Sequence, residues 1–397
     1  MHAMRFLSRW LTECAAIGHQ ARLLALLRVV TGALSGGALS LTALGRWRAG
    51  GAYEKHQIKA VDRLLGNRHL HREHDRIYAA IAAQVLGGIA RPVVIVDWSD
   101  FEPGRRWAML KAAVPIKGRA ITIYERVFPF RRYNSPGAHR EFLEGLRAVL
   151  PQRCRPIVVT DAGFRGPWFR QVQCYGWDWV GRVRNGIKFL NEATGRWCDS
   201  QSLYGRATPK IKHLGELILG RRRGYICRLY LVRAHQLRVG RPRKPRRGIR
   251  PNDTMYRRLH RAPWLLATSL PHAKGAERRI KRLYEQRMQI EEMLRDTKSH
   301  RIGQGLRYCR CNAAERLEVL LLIGTLAMLV LWLAGLCAKE FGWSRRFQAN
   351  TERRRDVLSI VFVGRRLLLR QQFVFKESFL SRALLSLRVL VLDALPR

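Results

Sequence analysis

Residues 92–97 read Pro-Val-Val-Ile-Val-Asp, a continuous apolar, β-branched run that ends on an acid. Such a run predicts a buried strand, and alternating stretches at 107–115 and 120–128 predict an antiparallel hairpin after it. A helical pattern at about 138–150 precedes Pro156-Ile-Val-Val-Thr-Asp161, a second apolar run ending on an acid, and another helix is predicted at about 167–175. The chain therefore has the order strand, hairpin, helix, strand, helix, with Asp97 and Asp161 at strand ends.

This order is typical of a ribonuclease-H-like core, in which adjacent strands present carboxylates at one edge of the sheet. The predicted fold class is α/β, with that core interrupted by an inserted β subdomain. The first predicted domain, 1–85, is a helical DNA-binding domain, with a plain helical packing domain as the alternative. The others are 86–181, the first part of the catalytic core; 182–261, the basic β insertion; 262–340, the second part of the core; and 341–397, a helical C-terminal region that could serve dimerisation. Within the insertion, the loop 241–250 holds six cations and no acid, which favours contact with a DNA backbone; the alternative is a disordered loop that keeps the protein soluble.

A second informative stretch is 284–298, Tyr-Glu-Gln-Arg-Met-Gln-Ile-Glu-Glu-Met-Leu-Arg-Asp-Thr-Lys, called the signature segment below. In one continuous helix, Tyr284, Arg287, Glu291 and Lys298 would lie within about 60° of one another. A carboxylate among two cations and a phenol suits a metal ion held beside a phosphodiester. The alternative is a solvated helix with i,i+4 charge pairs. Glu292 is rotated by about 100° from this face, so the spacing selects Glu291.

Three carboxylates are candidates for a shared metal site: Asp97, Asp161 and Glu291. Two or three such groups can bridge two divalent ions that activate a nucleophile and stabilise the leaving oxygen at a phosphate. Ligands that are all hard oxygens favour Mg²⁺. The alternative for each strand-end aspartate is a structural one, the capping of a turn.

The charge of the whole chain indicates a nucleic-acid partner. It contains 74 Lys and Arg against 29 Asp and Glu, which gives a formal net charge of +45. This excess supplies affinity for DNA or RNA that is salt-sensitive and independent of sequence. At 397 residues, 47% of them hydrophobic, the chain is long enough for two or more sizeable cores.

Cysteine usage and apolar segments bear on the compartment. The chain has eight cysteines and no C-x-x-C pair, which favours free thiols in a reducing compartment, and the N-terminus does not resemble a secretory signal. Residues 319–338 carry no charge and are long enough to cross a bilayer. Because a span would separate the basic C-terminal part from the rest, a buried core helix is favoured. We therefore expect a cytoplasmic protein with no membrane partner.

The pattern Y-x2-R-x3-E-x6-K, matched without a gap in the signature segment, resembles that of the DDE transposases of the IS-four insertion-sequence family. The resemblance covers about residues 45–365. It is carried further by Val-Asp97-Trp-Ser-Asp, Val-Thr-Asp161-Ala-Gly-Phe, Pro-Trp264-Leu-Leu-Ala-Thr and Phe347-Gln-Ala-Asn-Thr.

The resemblance implies cut-and-paste transposition, in which Asp97, Asp161 and Glu291 hold two Mg²⁺ ions, with Mn²⁺ as a substitute. Water would cut at the element's end, the new 3′-hydroxyl would form a hairpin, and the reopened end would join target DNA. Tyr284, Arg287 and Lys298 would grip terminal phosphates. Trp264 would stack on a flipped base, against the alternative of a core residue that opens a strand.

The resemblance also implies the partners. They are double-stranded DNA, as terminal repeats and as target, a second copy of the chain, and a host DNA-bending protein. Two other functions stay open at this point: a metal-dependent nuclease without strand transfer, and a decayed copy that binds DNA without turnover.

Overall fold

The computed structural model describes residues 2–36, 38–48, 50–101, 106–184, 186–191, 194–221, 224–233, 262–299, 304–306, 309–352, 355–370 and 376–395. These residues fall into two compact units. The first is built from Met1–Pro156 and Met288–Leu395, and the second from Ile157–Arg287. The predicted basic loop 241–250 lies outside the described residues.

The first unit is mainly helical. Short polar side chains cap several of its helices: Asn67 accepts a hydrogen bond from the amide of Leu70 at 3.0 Å, and Ser135 accepts one from Ala138 at 3.2 Å. The helices are α1 (His2–Glu13), α2 (Gln20–Ser35), α3 (Leu41–Arg46), α4 (Glu54–Leu65), α5 (Arg68–Leu86), α6 (Pro136–Val149), α9 (Met288–Lys298), α10 (Ala314–Glu340), α11 (Ile360–Leu368) and α12 (Glu377–Asp393).

Three antiparallel strands of the first unit lie in the order β3-β2-β1. They are β1 (Val93–Asp100), β2 (Trp107–Ile116) and β3 (Arg119–Pro129). Asp97 lies opposite Lys111, which lies opposite Glu125, so these three charged residues form one row on one face of the sheet. A bulge at Ala112/Ala113 brings Thr122 onto this face as well.

The two faces of β1 are covered by different helices. On the face of Asp97, the hydroxyl of Thr122 donates to the sulfur of Met293 on α9 at 3.4 Å. On the other face, the indole of Trp98 donates to Nε2 of His139 on α6 at 3.2 Å. Asp97 therefore faces α9, as the alternation of side chains along a strand requires.

The apolar segment forms the long helix α10. It is long and apolar enough to cross a membrane, but 94% of its most apolar 18-residue stretch is buried inside the protein. This burial agrees with the predicted core helix. A Cβ on Gly335 would clash with the carbonyl oxygen of Ile360. A glycine there permits the close approach of α10 to α11.

The second unit is built on strands. They lie in the order β4-β5-β10-β9-β8-β6-β7, with β4 parallel to β5 and the other described pairs antiparallel. The elements are β4 (Ile157–Thr160), α7 (Gly166–Cys174), β5 (Asp178–Val183), β6 (Lys188–Asn191), β7 (Arg196–Asp199), β8 (Lys212–Leu219), β9 (Tyr225–Val232), β10 (Trp264–Thr268) and α8 (Ala276–Glu285).

The prediction of one continuous signature helix is wrong. Helix α8 ends at Glu285 and α9 begins at Met288, and the amide of Arg287 donates to the carbonyl of Tyr284 at 3.1 Å. This i→i+3 bond tightens and closes the last turn of α8. Tyr284 therefore lies on α8, Arg287 in the turn, and Glu291 and Lys298 on α9. Of the four residues, only Glu291 and Lys298 share one face of a helix, as predicted.

Candidate active site

Asp161 follows β4 directly in the second unit. Its Oδ1 accepts a hydrogen bond from the amide of Gly163 at 2.8 Å, which fixes the carboxylate at the start of a tight turn. A Cβ on Gly163 would lie 3.0 Å from the same oxygen. Glycine at this position therefore leaves the carboxylate room, and the Asp161 side chain stays partly exposed.

Helix α8 packs against β4 and β5, and this packing places Tyr284 near Asp161. The side chain of Tyr284 is 4% exposed. Burial raises its pKa, the charges of Arg287 and Arg182 lower it, and the carboxylate of Asp161 raises it. The guanidinium carbon of Arg287 lies 5.9 Å from the centre of the Tyr284 ring. The second unit thus brings one predicted metal ligand together with two predicted DNA ligands.

Trp264 opens β10 and belongs to the same group. Its ring lies 5.0 Å from that of Tyr284, edge to face at 72°, and it is partly exposed. The two rings fix each other's orientation. Trp264 thus combines a strand-opening position with an accessible aromatic surface, so both of its predicted roles remain open.

Arg182 is a member of this cluster that the sequence analysis missed. It lies on β5, is 7% exposed, and donates to the carbonyls of Ala262 at 2.9 Å and Pro263 at 3.3 Å, the residues that lead into Trp264. Burial lowers its pKa, while a hydrogen bond to Tyr284 raises it. Residues two apart in a strand share a face. The sequence Arg182-Val-Arg184 could therefore have predicted two cations on one face near the site.

Glu291 and Lys298 lie on α9 in the first unit, the helix that Asp97 faces. Glu291 is exposed in the first turn, where a carboxylate interacts favourably with the helix dipole. Seven residues later, the ammonium group of Lys298 contacts Oδ1 of Asp100 at 2.9 Å. Because Asp100 ends β1, this ion pair ties the end of α9 to the strand of Asp97.

Glu292, the next residue along α9, is paired with two arginines. Its Oε2 lies 3.7 Å from Nη1 of Arg119 and also pairs with Arg295. Arg119 in turn binds Asp296 at 2.7 Å. Glu292 therefore belongs to a charged cluster that fastens α9 to the start of β3.

The donor chemistry of the three predicted ligands fits a hard divalent cation, since all are carboxylates and all are at least partly exposed. Asp97 and Glu291 belong to the first unit and Asp161 to the second. Within the described part of the chain, no group of three or more His, Cys, Asp or Glu side chains is arranged to hold a metal ion.

Comparison with known families identifies the class of protein. Residues 89–329 match the family described as Transposase DDE domain, and this range contains all the predicted site residues. The chain therefore belongs to the transposase DDE domain family. Comparison with curated proteins found no significant match.

Proposed function

We propose that the chain is a cut-and-paste transposase of the IS-four type, similar to the transposase of the tetracycline-resistance composite transposon, with a ribonuclease-H-like catalytic core. It binds the inverted repeats of its element, cuts them through a hairpin, and joins the 3′ ends to target DNA. The observation that carries this proposal is the cluster in the second unit. There, the carboxylate of Asp161, which follows a strand, and the guanidinium groups of Arg182 and Arg287 lie near the buried Tyr284, a set that suits one metal-binding carboxylate beside a bound phosphate.

Each residue has a defined task in this proposal. Arg287 and Lys298 donate to phosphate oxygens of the DNA end, and Tyr284 adds a hydrogen bond. Arg182 orients Tyr284 and the chain before Trp264, as its hydrogen bonds indicate. Trp264 then presents an aromatic surface on which a flipped base can stack.

Asp97, Asp161 and Glu291 would hold two Mg²⁺ ions, with Mn²⁺ as a substitute. When bound, such ions supply a nucleophile at neutral pH and stabilise charge on the leaving oxygen. The protein's part is to orient the carboxylates: the turn at Gly163 fixes Asp161, and the pairing of β1 with β2 fixes Asp97.

The proposed partners follow from the charge and the chemistry. A net charge of +45 attracts both terminal and target duplexes, mainly through their phosphates. Joining two element ends in one event calls for a homodimer, and a host DNA-bending protein would bring the ends together. The compartment in this proposal is the bacterial cytoplasm, where the protein would lie on the nucleoid.

The function is tested by incubating the purified protein with Mg²⁺ and DNA that carries the repeats flanking its own coding sequence. Denaturing gels should show hairpin ends and strand-transfer products. Nicks without joined products would instead identify a nuclease. Binding with neither product would identify a DNA-binding copy without turnover, and either result would reject the transposase proposal.

Arg287→Ala is expected to weaken binding of this terminal duplex about tenfold, because a charge-assisted contact to phosphate is lost. The slope of log affinity against log salt should fall by about one. Fluorescence anisotropy across a range of salt concentrations measures both quantities.

Arg278→Ala is the matched control, since Arg278 is an exposed cation on α8 and its loss removes the same charge. It should change the affinity much less. Equal losses in the two variants would mean that Arg287 acts only through the overall charge.

A further inference from the structure

Asp100 was not among the predicted site residues, yet it contacts one of them. It ends β1, and its Oδ1 accepts a hydrogen bond from the ammonium group of Lys298, the last residue of α9, at 2.9 Å. The two partners differ in exposure: the side chain of Asp100 is 50% exposed, whereas that of Lys298 is 14% exposed. The Lys298 side chain is therefore largely enclosed by the protein, while half of the Asp100 side chain is accessible to solvent.

A carboxylate oxygen and a phosphate oxygen are interchangeable acceptors for an ammonium group. Both form charge-assisted hydrogen bonds of about 2.7–2.9 Å. A DNA phosphate that reaches Lys298 must therefore compete with Asp100, and the more exposed partner is the one that can turn away.

We propose that Asp100 acts as a phosphate mimic, which neutralises Lys298 until the phosphate of a correctly seated DNA end displaces it. The inference rests on the proposed phosphate contact of Lys298. It makes Asp100 a competitor for the phosphate of the DNA end alone. Because the many other cations bind any duplex, only DNA seated deeply enough to reach Lys298 has to break this ion pair.

The neighbouring ion pair of Asp296 with Arg119 offers a matched comparison. It joins the same helix, α9, to the start of β3 at 2.7 Å, and neither partner is a predicted DNA ligand. Replacing Asp296 removes the same charge from the same part of the molecule. A general gain in attraction for DNA would therefore appear equally in Asp100→Asn and Asp296→Asn.

The test compares Asp100→Asn, Lys298→Ala, the double variant and Asp296→Asn by fluorescence anisotropy, with circular dichroism to verify folding. The probes are the terminal duplex and a scrambled duplex of equal length. We expect Asp100→Asn to bind the terminal duplex about three- to fivefold more tightly, the range of an exposed ion pair. The gain should be absent on the scrambled duplex and in the Lys298→Ala background.

Three results would overturn the inference: no gain in Asp100→Asn, an equal gain in Asp296→Asn, or a gain that persists without Lys298. The proposed function is tested separately by the single variant. If Lys298→Ala binds the terminal duplex as tightly as the wild type, the phosphate contact of Lys298 is rejected. If it binds more weakly while Asp100→Asn shows no gain, only the role of Asp100 is rejected.

Discussion

Replacing Glu291 with glutamine is expected to lower Mg²⁺-dependent cleavage of terminal DNA at least about 1000-fold, because losing a metal ligand removes several kcal/mol of transition-state stabilisation. Glutamine keeps the size of the side chain and its exposed place in the first turn of α9. The fold and the affinity for terminal DNA should therefore be retained. Single-turnover cleavage on denaturing gels measures the effect, and anisotropy confirms that binding persists.

Glu292→Gln provides the control one residue along the helix. Its carboxylate contacts Arg119 and Arg295, so its loss should affect the fastening of α9 and leave cleavage within about twofold of wild type. A loss of cleavage in Glu292→Gln with normal activity in Glu291→Gln would reverse the assignment. Normal activity in both variants would exclude both glutamates as metal ligands.

Lys111→Met is expected to destabilise the protein by about 3–5 kcal/mol, because it leaves the carboxylate of Glu125 buried without its counter-charge. The side chains of Lys111 and Glu125 are 2% and 0% exposed, and Nζ lies 2.7 Å from Oε2. The other oxygen accepts hydrogen bonds from Tyr78 and, at 2.9 Å, from Thr325. Burial and the charge of Glu125 raise the pKa of Tyr78, so this hydroxyl stays a donor. Urea unfolding of the full-length protein measures the loss.

The double variant Lys111→Met with Glu125→Gln should recover at least half of that stability. The amide oxygen of glutamine still accepts from Tyr78 and Thr325, while no unpaired charge remains. If the free energy of unfolding of Lys111→Met lies within about 1 kcal/mol of that of the wild type, the ion pair does not stabilise the protein as a buried ion pair should.

Much of the fold was predictable from local pattern. The hairpin predicted at 107–115 and 120–128 is found at Trp107–Ile116 and Arg119–Pro129. Apolar runs and alternation identify strands because side chains alternate between the faces of a sheet. Local pattern gave a wrong prediction at residues 286 and 287, where the helix is interrupted. The side chains of both residues suit a helix, so no local feature of the sequence predicts the break.

The residues of the candidate site were likewise predictable only in part. Spacing along α9 separated Glu291 from Glu292, and this choice stays a prediction. The structure adds that Glu292 contacts Arg119 and Arg295. Arg182 and Asp100 were missed because each acts through a partner far along the chain, Tyr284 and Lys298. No local pattern records such a pairing.

By itself, the sequence determined the basic charge, the strand that carries Asp97, the strand that precedes Asp161, and the motif that carries Glu291, because these depend on composition and short-range periodicity. The predicted strand-end position is wrong for Asp97, because β1 continues to Asp100. Only the tertiary structure decided that the signature segment is two helices, that Arg182 supports Tyr284, and that Asp100 holds Lys298. The physical reason is that a strand or helix is specified by neighbours a few residues apart. Hydrogen bonds and ion pairs between elements depend on how those elements pack.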